Sequence, residues 1–227
     1  IGELAAGVAH EIRNPLSSIK GFAQFLNHAL KDRPEEREYT TVMVREIERI
    51  NRVVTDLLIY ARPLRARRRD VDIRDLTEHA ILLVNADALN KKVVIRQNIS
   101  GKLDNIWLDD NQMTHALLNL LLNSLEAVST GGEIEIGAQL IDGSQKLHLW
   151  VEDDGIGIPV EYQEKIMSPF FTSRDKGTGL GLAIAHKIAE IHGGEIHVES
   201  PPQGKERGTR VSLCFPLSSS YLKKGIE

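Results

Sequence analysis

The stretch Gly7-Val8-Ala9-His10-Glu11-Ile12-Arg13-Asn14-Pro15-Leu16 lies inside a run in which Leu4, Val8, Ile12, Leu16, Ile19, Phe22 and Leu26 recur at three- and four-residue steps. That spacing predicts an amphipathic helix with one apolar stripe. His10 stands two residues from Val8 and two from Ile12, which at about 100° per residue turns it away from the stripe. Asn14, Ser17 and Gly21 fall on the same outward face, a narrow and uncrowded surface on which a partner can dock. Pro15 has no N–H to donate and crowds the carbonyl of Glu11, so a bend is expected just beyond the histidine. A neutral imidazole offers one lone-pair nitrogen for attack on phosphorus while the other keeps its proton. Glu11 is the candidate to hold that N–H. The bland alternative is a solvated histidine beside a solvated glutamate, and the rest of the chain decides between them.

A charged turn with a proline, Lys31 to Glu36, precedes a second helical pattern over about 36–61. Its apolar positions Met43, Ile47, Ile50, Val54, Leu57 and Ala61 alternate by four and three, the heptad spacing of a bundle. A hairpin of two such helices cannot bury both stripes, so a homodimer forming a four-helix bundle is the expected completion. Pro63 ends the pattern, and Arg62, Arg65, Arg67, Arg68 and Arg69 read as a solvated linker. The domain division drawn from this is 1–66 and 67–227.

Composition sets outer limits. The 227 residues are 41% hydrophobic and 26% charged, which is globular material with room for two domains. A net charge of -4 argues against a nucleic-acid binder. No run of 18 apolar residues occurs, and the single Cys214 gives no intrachain disulfide. The chain starts at Ile1 without a methionine and already inside a helical pattern. The expectation is therefore a fragment of a longer chain.

From residue 71 onward helices and strands alternate, with helices near 75–90, 110–127 and 180–192 and strands over 93–99, 133–141, 146–153, 195–200 and 208–215. The pairs Gly131-Gly132, Asp142-Gly143 and Gly193-Gly194 mark turns. The expected architecture is α plus α/β: a helical hairpin, then helices packed on one face of a mixed sheet. The polar tail from Ser218 is expected to fray.

Four stretches of this second unit suit a nucleotide. In Asn119-Leu120-Leu121-Leu122-Asn123 two amides share a helix face, and an amide carbonyl is a possible Mg2+ ligand, as against a pair of surface asparagines. Asp153-Asp154-Gly155-Ile156-Gly157 closes a strand with an acidic pair and two glycines. A carboxylate there can accept from an adenine amino group, or the stretch is only a tight turn. Pro169-Phe170-Phe171-Thr172-Ser173-Arg174-Asp175-Lys176 is either a lid over the nucleotide or a loop on a small satellite core. Gly177-Thr178-Gly179-Leu180-Gly181-Leu182 leads into a helix whose free N–H groups favour phosphate. It is neither a Walker A loop nor a dinucleotide fingerprint.

In identity and order these motifs resemble those of sensor histidine kinases. His10 to Pro15 resembles the H box, Asn119 to Asn123 the N box, Asp153 to Gly157 the G1 box, Pro169-Phe170-Phe171 the F box, and Gly177 to Gly181 the G2 box, with Gly208-Thr209 similar to the closing segment. The resemblance implies a dimerising histidine-phosphotransfer hairpin followed by an ATP-binding α/β sandwich of Bergerat (GHKL) type, shared with gyrase, heat-shock chaperone and mismatch-repair ATPases. It implies that His10 accepts a phosphoryl group from ATP, with Glu11 and Asn14 beside it. It further implies that Asn123 binds Mg2+ and Asp153 reads adenine, while Asn119, Gly155, Gly157, Phe170, Thr172, Arg174, Lys176, Gly177, Thr178, Gly179, Leu180 and Gly181 line the nucleotide.

The implied partners are a second copy, a receiver-domain response regulator whose aspartate takes the phosphoryl group, and a small antikinase protein on the helical domain. Glu11-Ile12-Arg13-Asn14 matches the E-x-x-N/T pattern linked in this family to response-regulator phosphatase activity. Two residues depart from the family pattern: Asp154 stands where Asn is common, and Arg174 where a lid lysine often follows. The overall look is similar to sporulation-type kinases. The readings from other classes are an ATP-driven conformational clamp, which has no use for His10, and a pseudokinase scaffold, which has no need of an intact nucleotide site.

Overall fold

The computed structural model describes residues 2–61, 65–101, 103, 106–141, 146–173 and 177–217, with residues 2–10 described by backbone alone. It parts into two compact units, residues 1–63 and 64–227.

In the first unit α1 (Gly2–Ala29) runs unbroken through Pro15, and α2 (Pro34–Ala61) returns antiparallel to it. Glu35 and Glu36 lie in the first turn of α2, at the helix end where partial positive charge favours carboxylates. Leu16, Ala23 and Ile47 are buried between the helices with Val44 packed on them. Polar ties cross the seam, from Lys20 Nζ to Glu48 Oε1 at 2.7 Å and from Arg13 Nη2 to Thr55 Oγ1 at 3.0 Å.

The single stripe expected on α1 is split. Leu16 is buried, whereas Ile19 and Leu26 are 44% exposed and Phe22 is 71% exposed. On α2, Ile47 and Val54 are buried, while Met43, Ile50 and Leu57, seven residues apart, each stay 43% exposed. Each helix therefore carries two neighbouring seams, and the hairpin closes only one.

The second unit is built from β1 (Arg69–Val71), α3 (Ile73–Lys91), β2 (Val94–Ile99), β3 (Ile106–Leu108), α4 (Asp110–Ala127), β4 (Glu133–Ile141), β5 (Lys146–Asp153), α5 (Val160–Gln163), α6 (Gly181–Ile191), β6 (Glu195–Glu199) and β7 (Thr209–Pro216). The main sheet has the order β2-β4-β5-β7-β6, with β2 parallel to β4 and the other pairs antiparallel. Alternate residues along the central strands, Ile134, Ile136, Leu147, Leu149, Leu213 and Phe215, are buried, which is the period-2 pattern of a sheet with one covered face. The cover is α3, α4 and α6, whose Ile73, Ala80, Met113, Leu117, Leu121, Ile184 and Ile188 are fully buried. On the other face Trp150 fills the place a side chain at Gly137 would take, donates to Glu135 Oε1 at 3.0 Å and lies 5.5 Å beneath the Arg210 guanidinium.

Three elements escape the sequence reading: β1, β3 and the one-turn α5. Strands β1 and β3 pair only with each other over three residues, too short a span for periodicity to register. The basic run is corrected as well. From Arg65 on it belongs to the second unit, where Arg68 Nη2 donates to the Ile191 carbonyl at 3.0 Å and Arg69 enters β1. The Asp142-Gly143 turn and the tail from Ser218 lie outside the described residues.

Burial holds the imidazoles of His115, His148 and His192 below the ordinary value of 6.5. His192 uses both nitrogens: Nδ1 faces the Ile188 carbonyl at 2.8 Å, and Nε2 accepts the Asp109 N–H at 3.1 Å, which assigns the proton to Nδ1. A folded pKa lying below the unfolded one means that stability is complete above 6.5 and is lost as pH falls below it. The melting temperature should drop between about pH 7.5 and about pH 5.5, and the drop should shrink in His192→Gln. Equal pH slopes for parent and variant would remove His192 from this account.

Candidate functional site

His10, Glu11 and Asn14 sit on α1, His10 being described by backbone only. Glu11 and Asn14 are exposed, and neither side chain has a hydrogen bond among the described residues. Helix geometry puts His10, Asn14 and Gly21 on one face, and nothing lies within 4 Å of where a Gly21 side chain would begin.

In the second unit, the predicted nucleotide residues gather where α4, the end of β5 and the start of α6 meet. Asp153 is buried at the last position of β5. Its Oδ2 accepts from Ser124 Oγ and its Oδ1 from the Gly155 N–H, both at 2.9 Å. Burial raises its pKa, against which the hydrogen bonds from Ser124, Gly155 and the Thr209 backbone act, with the Asp154 charge adding to the rise. The result is a carboxyl group fixed in position and short of solvent, suited to one more donor from a ligand.

Glycines let neighbouring backbone segments pack closely around this carboxylate. A side chain at Gly155 would meet the Ala127 carbonyl oxygen at 2.8 Å, and Gly157 is left-handed at φ +75 with Ser200 Oγ 3.1 Å from its Cβ position. Gly179, at φ +66, is pressed against the Phe170–Phe171 backbone and accepts the Phe170 N–H at 2.9 Å. Phe170 itself takes φ +65 and is 61% exposed. A bulky residue held in the left-handed region marks a constrained loop. Thr172 is exposed, Thr178 Oγ1 accepts the Leu180 N–H at 3.2 Å, and Leu180 is buried just before α6.

Asn119 and Asn123 are both on α4. The Asn119 amide lies beside Gly181, with Oδ1 3.3 Å from that glycine's Cβ position, and its buried Nδ2 has no hydrogen-bond partner among the described residues. An orphaned buried donor costs about 1–3 kcal/mol, which a ligand acceptor would recover. Gly177 is half-buried, while Arg174 and Lys176 lie outside the described residues.

Two members of the site escape the sequence reading. Ser124 carried no signal beyond following Asn123. Ser200 accepts the Ile158 N–H at 2.7 Å and donates to the Gly208 carbonyl at 2.9 Å, joining the Gly157 turn to the approach of β7.

Residues 1–64 match the His Kinase A (phospho-acceptor) domain, and residues 108–219 match the histidine kinase-, DNA gyrase B- and HSP90-like ATPase family. The chain is homologous to the catalytic core of sensor histidine kinases. Sensor histidine kinase ZraS of Escherichia coli O157:H7 is 40% identical over 218 residues, which span 96% of this chain and 46% of ZraS. Sporulation kinase E of Bacillus subtilis is 34% identical over 96% of this chain and 29% of its own length. The chain thus spans less than half of these curated relatives. Full-length ShkA in complex with AMPPNP has a similar structure, with a TM-score of 0.77 at 26% identity over 96% of this chain and 46% of that one. Histidine kinase ThkA in complex with the response regulator protein TrrA gives 0.66 at 29% identity, over 98% and 63%.

Within this histidine kinase core, the departure at Asp154 has a structural account. Its Oδ1 accepts the Glu133 N–H at 3.0 Å and its Oδ2 faces Arg207 Nη2 at 3.4 Å, so it pins the start of β4.

Proposed function

We propose that the chain is the catalytic core of an ATP-dependent protein-histidine kinase. It phosphorylates its own His10 and hands the phosphoryl group to an aspartate of a receiver-domain response regulator. The observation that supports this most is the pairing, in one chain, of a phospho-acceptor helix bearing His10 with a pocket whose Asp153 is pre-oriented and whose Asn119 Nδ2 is unpaired. A conformational clamp has no use for the first, and a scaffold has none for the second. In this reading the first unit is the dimerisation and phosphotransfer domain and the second unit the ATP-binding domain.

The chemistry is assigned residue by residue. Asp153 accepts from the adenine amino group, and the turns built at Gly155, Gly157, Gly179 and Gly181 line the nucleotide with backbone. Asn123 supplies an amide oxygen for Mg2+. An ion there would be held by that amide together with water and phosphate oxygens. Mg2+ held there would neutralise phosphate charge. His10 forms the new N–P bond through its free ring nitrogen as ADP departs, Glu11 holds the proton on the other nitrogen, and Phe170, Thr172, Arg174 and Lys176 serve as the lid.

The exposed seam of Met43, Ile50 and Leu57 supports a homodimer, and the outer face of the helical unit is where a small antikinase would dock. No helix among the described residues is long and apolar enough to cross a membrane. We place this core on the cytoplasmic side of a longer sensor. The test is incubation with γ-labelled ATP, where a phosphoramidate gives label that is acid-labile and base-stable.

Asn14 supports a second activity toward the phosphorylated partner. One turn beyond His10 on the same face, its unengaged amide can orient a water for attack on a phosphoaspartate. Asn14→Ala should slow partner dephosphorylation about ten-fold or more with less effect on autophosphorylation. An unchanged rate, or parallel loss of both activities with loss of helical signal, would remove this role.

A further inference from the structure

The segment that leads into the second unit is fastened to the start of α4 and to the end of α6. Asp109, the N-cap of α4, divides its carboxylate between two tasks: Oδ1 accepts the Gln112 N–H at 3.0 Å and so caps the helix, while Oδ2 accepts the Arg67 N–H at 2.7 Å. Gln112 Nε2 grips the Arg65 carbonyl at 3.0 Å, and Arg69 pairs with Asp110. At the far helix, Arg68 Nη2 takes the Ile191 carbonyl at 3.0 Å, and His192 just beyond α6 accepts the Asp109 N–H at 3.1 Å. Asp109 is buried, where charge-assisted hydrogen bonds are short and strong. Helices α4 and α6 are those that bear Asn119, Asn123 and Gly181.

We propose that Asp109 is a positioning residue that locks residues 65–71 to α4 and α6, so that the incoming chain and the nucleotide pocket move as one body. This rests on the kinase reading. A phosphate must be delivered to His10 within about an ångström of its productive position, and a pocket loosely tied to its incoming chain would meet that geometry less often. Nucleotide binding, which needs only the pocket, would be untouched.

Asp109→Ser separates the two tasks, because serine is among the better N-caps yet is too short to hold both N–H groups. In the full chain its autophosphorylation rate at saturating ATP should fall about ten-fold, with KM for ATP, affinity for a non-hydrolysable analogue and melting temperature close to those of the parent. Gln112→Ala, which removes the Arg65 arm and keeps the cap, should act in the same direction by a smaller factor, and alanine is safe for the helix. A rate that falls only in step with KM or melting temperature would make Asp109 an ordinary cap and overturn the proposal. Parental rates in both variants would overturn it too. A parent chain that takes no label fails the kinase reading itself, an outcome distinct from either.

Discussion

Replacing His10 with glutamine is expected to abolish acid-labile label on the purified chain while affinity for ATP stays within about two-fold of the parent. The expectation follows from where the groups lie. His10 is in the first compact unit, whereas Asn119, Asn123, Asp153 and Gly155, Gly157, Gly179 and Gly181 are all in the second. Glutamine lacks a nucleophilic ring nitrogen but is a good helix former, so the Leu16–Ala23–Ile47 seam should persist. Circular dichroism checks the helix, filter binding the nucleotide, and acid treatment the label. Retained acid-labile label would sink the assignment of His10, and joint loss of label and ATP binding would mean that the substitution reached beyond the nucleophile.

The second large effect is expected at Asn123. Alanine there should weaken Mg2+-dependent nucleotide binding by about 10- to 100-fold, the scale of a lost contact at a metal site. Alanine is the best helix former, and the residues that anchor α4, Met113, Leu117 and Leu121, are fully buried elsewhere on it. The helix should hold, and with it the Ser124–Asp153 hydrogen bond. Calorimetry with and without Mg2+ separates the outcomes. Equal Mg-ATP affinity in parent and variant would reduce Asn123 to a structural amide, and a loss independent of Mg2+ would point to the pocket wall.

The elements were legible wherever one periodicity ran long enough between clear stops. Helix α4 over 110–127 and strands β4 and β5 over 133–141 and 146–153 were read at the bounds they take, because apolar spacing changes from 3.6 to 2 across Gly131-Gly132. The parts of the candidate site were legible for a different reason. Amides, an acidic pair and glycines each have few uses in that order, so Asn119, Asp153, Gly157, Gly179 and Gly181 could be named before any distance was known.

Spacing along one element gives the direction of a side chain and leaves open what stands opposite. On α1 the stripe was visible, but its division into a covered Leu16 and an open Ile19, Phe22 and Leu26 depends on where α2 lies. Ser124 looked inert until β5 placed the Asp153 carboxylate 29 residues away in sequence against its hydroxyl. Arg65 to Arg69 read as solvated charge, because nothing local announces that Asp109, Gln112 and Ile191 will collect their backbone and guanidinium groups. Composition and periodicity determined the two kinds of unit, while the identity and order of the motifs nominated the candidate residues. Only the tertiary structure decided which hydrogen bonds hold those residues still, since such bonds form between groups that the chain keeps far apart until the core has closed.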